Sequence, residues 1–309
     1  MTIRHAPEGD EQLDFFNAAY ADIPIRDQRD TMERPFFSLA KKPRKTPIAY
    51  DVGGTVVSVY PVREFGIATI WDADILIWLA TQITEARDRG GEPGPKVYFH
   101  PHNLLKGIRR PTGGDHYKRL QDALRRLAST YVETNIRIPK GSRKKIVGFH
   151  WIEHWDVHED GEGRPTGMSI TLPGWLYEGI IQGGGVLSIH EDYFLLTGGI
   201  ERWLYRVARK HAGQQEMGWQ FTMRQLYEKS GSSARFSDFA LDVRRICVAD
   251  KLPEYSLQMS RNRDGEDIVY MIRRSRLPMD DPRFEMPRSP RRRLGSGISS
   301  PAVRLTAQT

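Results

Sequence analysis

The stretch GGDHYKRLQDALRRLASTYVETNIRIPKGSRKK, residues 113–145, changes its periodicity midway. Tyr117, Leu120, Leu124 and Leu127 recur at i, i+3, i+7 and i+10, which lays one apolar face along a helix. Asp115 is placed to cap that helix, and the pattern ends near Ser129. Tyr131–Ile138 is then rich in β-branched and aromatic residues and predicts an extended strand. A second such run covers Ile146–Val157. Between the two lies PKGSRKK (139–145), with Pro, Gly and four cations, so the pair reads as a hairpin with a strongly basic tip.

The residues before this stretch complete a pattern. Strand-like pieces lie at Phe36–Leu39 and Thr55–Pro61. A helix is predicted from Asp72 to about Arg89, capped by Asp72 or Trp71, with Ile75, Leu76, Leu79 and Ile83 as its apolar stripe. The run GGEPGP (90–95) ends it, and Val97–Phe99 is a short strand. His100-Pro101 opens a short helix holding Leu104, Leu105 and Ile108, because proline is favoured in a first helical turn. Helix, short helix, turn, longer helix, basic hairpin is the order of a winged helix. In that fold the longer helix offers its polar face to the DNA major groove, and the hairpin reaches phosphates or the neighbouring groove.

The order then repeats. Met168–Leu172 reads as a strand, Pro173–Ile181 as a short helix and Gly183–Gly185 as a hinge. A helix follows over Gly199–His211, with Trp203, Leu204 and Val207 on its apolar face. Thr222 caps a short helix containing Met223, Leu226 and Tyr227, which Gly231 closes. Ser232 and Ser233 make a turn. The next helix, Arg235 to Ala249, aligns Phe236, Phe239, Ala240, Val243, Ile246 and Cys247, and Pro253 stops it. Tyr255–Ser260 and Ile268–Arg273 are strands joined through Asp264-Gly265, a hairpin turn signal. The two halves share an order of elements and no clear residue-level repeat.

The expected fold is therefore α+β: two tandem winged-helix domains, at 31–182 and 186–276, with flexible tails. Residues 1–30 carry seven acids against Arg4, Arg26 and Arg29 and read as a disordered acidic arm. Residues 277–309 contain PRSPRRRLGSGISSP (287–301) and read as a disordered basic tail, either solvated or touching phosphates. The overall charge of +7 thus averages an acidic arm with basic regions, such as Lys96–Ser129, where eight cations face only Asp115 and Asp122. The longest apolar run, Ile75–Ala80, is too short to span a bilayer, and the N-terminal residues do not resemble a signal peptide. A cytoplasmic protein without membrane contact is expected. With Cys247 as its one cysteine, the chain has no internal disulfide and no CxxC metal site.

Specific motifs carry a resemblance. ERPFFSL (33–39), GIATIWDADILI (66–77), GGDHYKRLQDALRRLASTYVETN (113–135) and the helical segment 191–211 resemble the plasmid replication initiators called replication initiator protein A. The likeness covers about residues 30–275. It implies binding to repeated origin sequences (iterons) in double-stranded DNA, opening of the origin, recruitment of a bacterial host initiator and replicative helicase, and autoregulation of the gene by a homodimer.

The residues expected to meet DNA follow from the helix faces. On the first long helix these are Lys118 and Arg119 for base edges or phosphates and Arg126 for the backbone. Lys140, Arg143, Lys144 and Lys145 at the wing tip suit phosphates. On the second long helix Arg235 and Ser237 are expected to read bases, beside Ser233 and Arg245, and Arg261 and Arg263 of the second wing to touch phosphates. The tryptophans Trp71, Trp78, Trp151, Trp155, Trp203 and Trp219 fall mostly in apolar patterns and read as core.

Enzyme chemistry is not expected. The chain has no Gly-x-x-x-x-Gly-Lys-[Ser/Thr] phosphate loop. His100-Pro101-His102 resembles the paired histidines of rolling-circle nicking enzymes, but Pro101 fits a helix start better. His150, His154 and His158 share one face of an extended run, with first and last about 13 Å apart, too far to share one metal. No carboxylate pair stands out, so no catalytic residue, cofactor or metal is assigned. Two other readings stay open: a winged-helix transcriptional repressor without a replication role, and a nicking enzyme, which a covalent tyrosine–DNA adduct would reveal.

Overall fold

The computed structural model describes residues 16–18, 20–159 and 165–286. The first half opens with strands β1 (Phe16–Asn17), β2 (Ile25–Gln28), β3 (Ile48–Val52) and β4 (Thr55–Tyr60). Helix α1 (Ala73–Asp88), β5 (Lys96–Phe99), α2 (Pro101–Gly107) and α3 (Gly114–Ser129) follow. Then come β6 (Tyr131–Thr134), β7 (Val147–His150), β8 (His154–Glu159), β9 (Pro165–Thr171), α4 (Gly174–Ile181) and β10 (Val186–Ile189). The second half is α5 (Gly199–His211), β11 (Trp219–Thr222), α6 (Met223–Ser230), α7 (Phe236–Ala249), β12 (Tyr255–Arg261) and β13 (Asp267–Arg273).

The second half is a winged helix of the expected order, with its sheet arranged β11-β13-β12. Local chemistry sets it. Thr222 and Gln225 cap α6 reciprocally, Gly231 takes the left-handed φ that ends it, and Arg235 is the N-cap residue of α7. In the second wing the Asn262 carboxamide oxygen accepts from the N–H groups of Asp264 and Glu266.

The first half elaborates the same plan. Its wing hairpin β6–β7 does not pair with β5. It joins the upstream hairpin in the order β3-β4-β6-β7, while β5 lies in a second sheet, β1-β5-β9-β8. Helix α1 is buried on nearly every side from Ala73 to Ala86, packed by β2, α2 and α4. Two of its buried polar side chains bond the N-terminal segment: Thr81 accepts from the Arg26 N–H at 2.8 Å, and Gln82 bonds both backbone groups of Tyr20. One contiguous set of buried apolar side chains runs from Ala18 to Met271, through both halves.

Several expectations are corrected. Phe36–Leu39 is not a strand; Phe36 and Phe37 are both buried, which an alternating strand forbids, and only Ser38 bridges to Thr69. The run 146–157 is two strands in different sheets, because Trp151 and Ile152 turn inward one after the other and take the chain out of the ladder. His150 therefore does not share a strand with His154 and His158. Asp115 lies inside the first turn of α3, whose N-cap is Gly113. Within the supposed acidic arm, β2 pairs with β10, and Asp27 and Gln28 are buried; residues 1–15 lie outside the described residues. The glycine hinge is a packed turn. The Arg29 N–H bonds to the Gly185 carbonyl, and a Cβ on Gly185 would lie 2.0 Å from the Gly179 carbonyl oxygen. At the C-terminal end Leu277 is buried and Arg274 pairs with Asp250 and Glu285, so order continues past the expected start of the tail; residues 287–309 lie outside the described residues.

Candidate nucleic-acid interface

Helix α3 packs Leu120, Ala123, Leu124 and Leu127 inward, which turns Lys118 and Arg119 out to solvent. Neither has an ion partner among the described residues. Arg126, two turns further along, does not join them. Its Nε and Nη2 donate to the two carboxylate oxygens of Asp72 at 2.8 and 2.7 Å. Asp72 is buried at the start of α1 and also accepts from the Thr69 N–H and hydroxyl. Arg126 is thus committed to holding α3 on α1, and its expected backbone contact is withdrawn.

The first wing loop, 135–146, is anchored at its base and open at its tip. Asn135 bonds the Val56 N–H and the Gly54 carbonyl, and the Thr134 hydroxyl bonds the Val56 carbonyl. Arg137 lies over the Trp175 ring at 4.1 Å, donates to the Trp175 carbonyl and pairs with Asp30 at 3.1 Å. Beyond it Lys140, Arg143, Lys144 and Lys145 are all exposed, without an ion partner among the described residues. Only their backbone is tied, through the Lys144 N–H to the Ser142 hydroxyl. Four solvated cations on a short loop gain nothing locally from their proximity and suit a polyanion.

The second surface is built differently. On α7, Ser233 and Ser237 flank Arg235 at the exposed entry end, and Arg245 lies further along. Most of the cations here carry a carboxylate partner. Arg235 pairs with Asp238 at 2.9 Å, Arg245 with Asp242 at 3.5 Å, and Asp267 takes both Arg244 at 2.6 Å and Arg261 at 3.3 Å. Asp267 is held below the usual carboxylate range, first by the hydrogen bond from Arg244. Arg263 is exposed and has no such partner among the described residues. Sequence reasoning placed the arginines but gave these acids no role, although the i,i+3 spacing of Arg235 with Asp238 and of Asp242 with Arg245 marks two of them.

The two surfaces are joined through buried charge that the pattern reading also missed. Asp74 of α1 accepts from Arg202 of α5 at 2.7 Å and from Arg110 at 2.9 Å. Asp27 of β2 binds Arg206 of α5 through both oxygens at 2.7 and 3.1 Å. Glu33, only 5% exposed, receives His211 at 2.7 Å, Lys210 at 3.0 Å, Lys229 at 3.1 Å and Arg34 at 2.7 Å. Burial alone would raise the Glu33 pKa; the His211 hydrogen bond and the Lys210, Arg34 and Lys229 charges outweigh it and hold the carboxyl far below its ordinary value.

The remaining candidates are accounted for. His100 caps α2 by accepting from the His102 N–H, with Pro101 in the first turn. Among the described residues no three His, Cys, Asp or Glu side chains are grouped to hold a metal ion, and no helix is long and apolar enough to cross a membrane. Trp78, Trp151 and Trp203 are core, whereas Trp219 is 42% exposed beside His211.

Comparison with known proteins adds three findings. A family model described as Replication initiator protein A matches residues 26–257. A "Putative replication protein" of Wigglesworthia glossinidia brevipalpis is 32% identical over 243 residues, covering 78% of this chain and 86% of that protein. The crystal structure of domains 2 and 3 of RctB superposes with a TM-score of 0.57 at 13% identity, covering 78% of this chain and 96% of the other. At that identity the last likeness bears on the fold, a mixed α+β arrangement of winged-helix type.

Proposed function

Because the chain belongs to the replication initiator protein A family, we propose that it initiates plasmid replication by binding repeated sequences in double-stranded origin DNA through both winged helices. The observation that carries this reading is the pair of exposed helix faces, each beside a wing; the first face and its wing together present six cations that have no ion partner among the described residues. The two winged helices lie within residues 31–182 and 186–276. Lys118 and Arg119 enter or flank the major groove, and Lys140, Arg143, Lys144 and Lys145 grip phosphates. Arg235 and Ser237, with Ser233, address base edges; Arg245, Arg261 and Arg263 border the same groove. Binding both units to one site strains the duplex, and that distortion favours melting of an adjacent A·T-rich segment. The protein itself performs no bond-breaking step. A bacterial host initiator and replicative helicase are the partners that follow, and a homodimer at the gene's own promoter would limit its expression.

A nuclease footprint across the DNA flanking the gene tests this. Protection of several direct repeats at helical-turn spacing is expected, and a plasmid carrying only the gene and those repeats should replicate in a suitable host. Protection without replication would leave a repressor; no protection would overturn the reading.

A further inference from the structure

Arg235 is 84% exposed at the entry end of α7, and its side chain is paired within its own helix turn. Its Nε donates to Oδ2 of Asp238 at 2.9 Å and its Nη2 to Oδ1 at 3.3 Å. Asp238 belongs to the first turn of the helix, and the Ser237 hydroxyl also donates to its Oδ1, at 3.4 Å. A guanidinium is a rigid planar fork with five N–H donors. The carboxylate occupies the side-on pair. The end-on pair, one N–H from each terminal nitrogen, faces away from Asp238 and meets no acceptor among the described residues.

We propose that Asp238 is a positioning residue that presents the end-on fork of Arg235 to O6 and N7 of a guanine in the major groove. The inference rests on the DNA-binding reading above and names what one side chain reads. Two arguments carry it. The spacing of the two end-on donors matches the two guanine acceptors, the commonest specific contact between side chain and base. The charge balance also selects a base over a phosphate. An arginine aimed at a phosphate gains from its full positive charge, and a carboxylate at its flank would repel the phosphate oxygens. A base edge is neutral, so an Arg–Asp pair loses little against it. The wing of the first half shows the contrasting design: Lys140, Arg143, Lys144 and Lys145 stand without carboxylate partners among the described residues.

The experiment uses the full chain and a randomised duplex library, with sequencing of the retained DNA. The wild type should enrich a motif that contains a guanine whose preference Arg235→Ala abolishes. Asp238→Ala should lower the preference at that same position on the order of tenfold, leave the other positions intact and raise retention of random duplexes, since a negative charge is removed. Asp238→Asn, which keeps one acceptor oxygen, should fall between. Thermal melting of each variant provides the fold control. Full guanine preference in Asp238→Ala, a loss spread evenly over the motif, or an Arg235→Ala variant that changes no single position would each overturn the inference while leaving DNA binding intact. A wild type that enriches no motif would overturn the DNA-binding reading beneath it.

Discussion

Arg126 and Arg119 lie two turns apart on α3, and their surroundings assign them opposite work. Arg119 faces solvent with no ion partner among the described residues, whereas Arg126 closes a two-bond contact on buried Asp72. Truncating one partner of a buried pair strands the other charge, at a cost of about 3–5 kcal/mol. Arg126→Ala is therefore expected to lower the urea midpoint sharply. Arg119→Ala should leave the stability within about 0.5 kcal/mol of the wild type and weaken DNA binding instead. A melting curve and a binding titration on each variant separate the two. Cys247 gives a second test at this scale. It is buried on the inner face of α7, and burial pushes its thiol up to about 12. Thiolate is the reactive form, so the native protein should resist iodoacetamide at pH 8 and react once unfolded; rapid alkylation of the folded chain would contradict the packing of α7.

Among the elements, the first wing separates anchoring from contact. Its base is locked by Asn135 and Arg137, and its tip carries the cations. Changing Lys144 and Lys145 together to Ala should weaken specific and random duplexes alike and reduce the slope of log affinity against log salt by about 2, if both cations neutralise phosphates. An unchanged slope would remove the wing tip from the DNA contact. The elements also show why the sequence was only partly legible. The run from α6 to β13 reads correctly to within a residue or two because its signals are local: the Thr222 cap, left-handed Gly231, Pro253 and the Asp264-Gly265 turn. What escaped depends on distant partners. Nothing near Ile25–Gln28 announces its pairing with Val186–Ile189, and nothing near Arg126 announces Asp72. For the candidate site the outward helix faces were legible from periodicity, but the carboxylates that offset the second set of arginines were not assigned a role. The i,i+3 spacing of Asp238 and Asp242 was visible; the bonds they make, and the reach of Asp267 to Arg244, were not.

Across the whole molecule, buried ion pairs tie α5 and α6 to the N-terminal segment and to α1, so the two candidate surfaces belong to one packed body. Glu33 is the hub, and its effect on stability has a definite sign. Its carboxyl is held below the ordinary 4.5, so its contribution is complete above that value and is lost as pH falls toward the depressed native value. Glu33→Gln should cost about 3 kcal/mol near neutrality, and the gap between variant and wild type in urea unfolding should close on acidification below about pH 4.5. A gap that is constant with pH would show that the carboxylate charge is not what binds the hub. The reach of these pairs along the chain bears on how the protein is made. Asp27 waits for Arg206 and Asp74 for Arg202, 179 and 128 positions later, and Glu33 waits 196 positions for Lys229. A ribosome stalled ahead of α5 holds a nascent chain whose acids lack these cations, and contacts so remote in sequence close late. Closure of the core therefore waits for the segment through Lys229, and a chain truncated ahead of α5 is expected to leave Asp27, Glu33 and Asp74 without these distant partners.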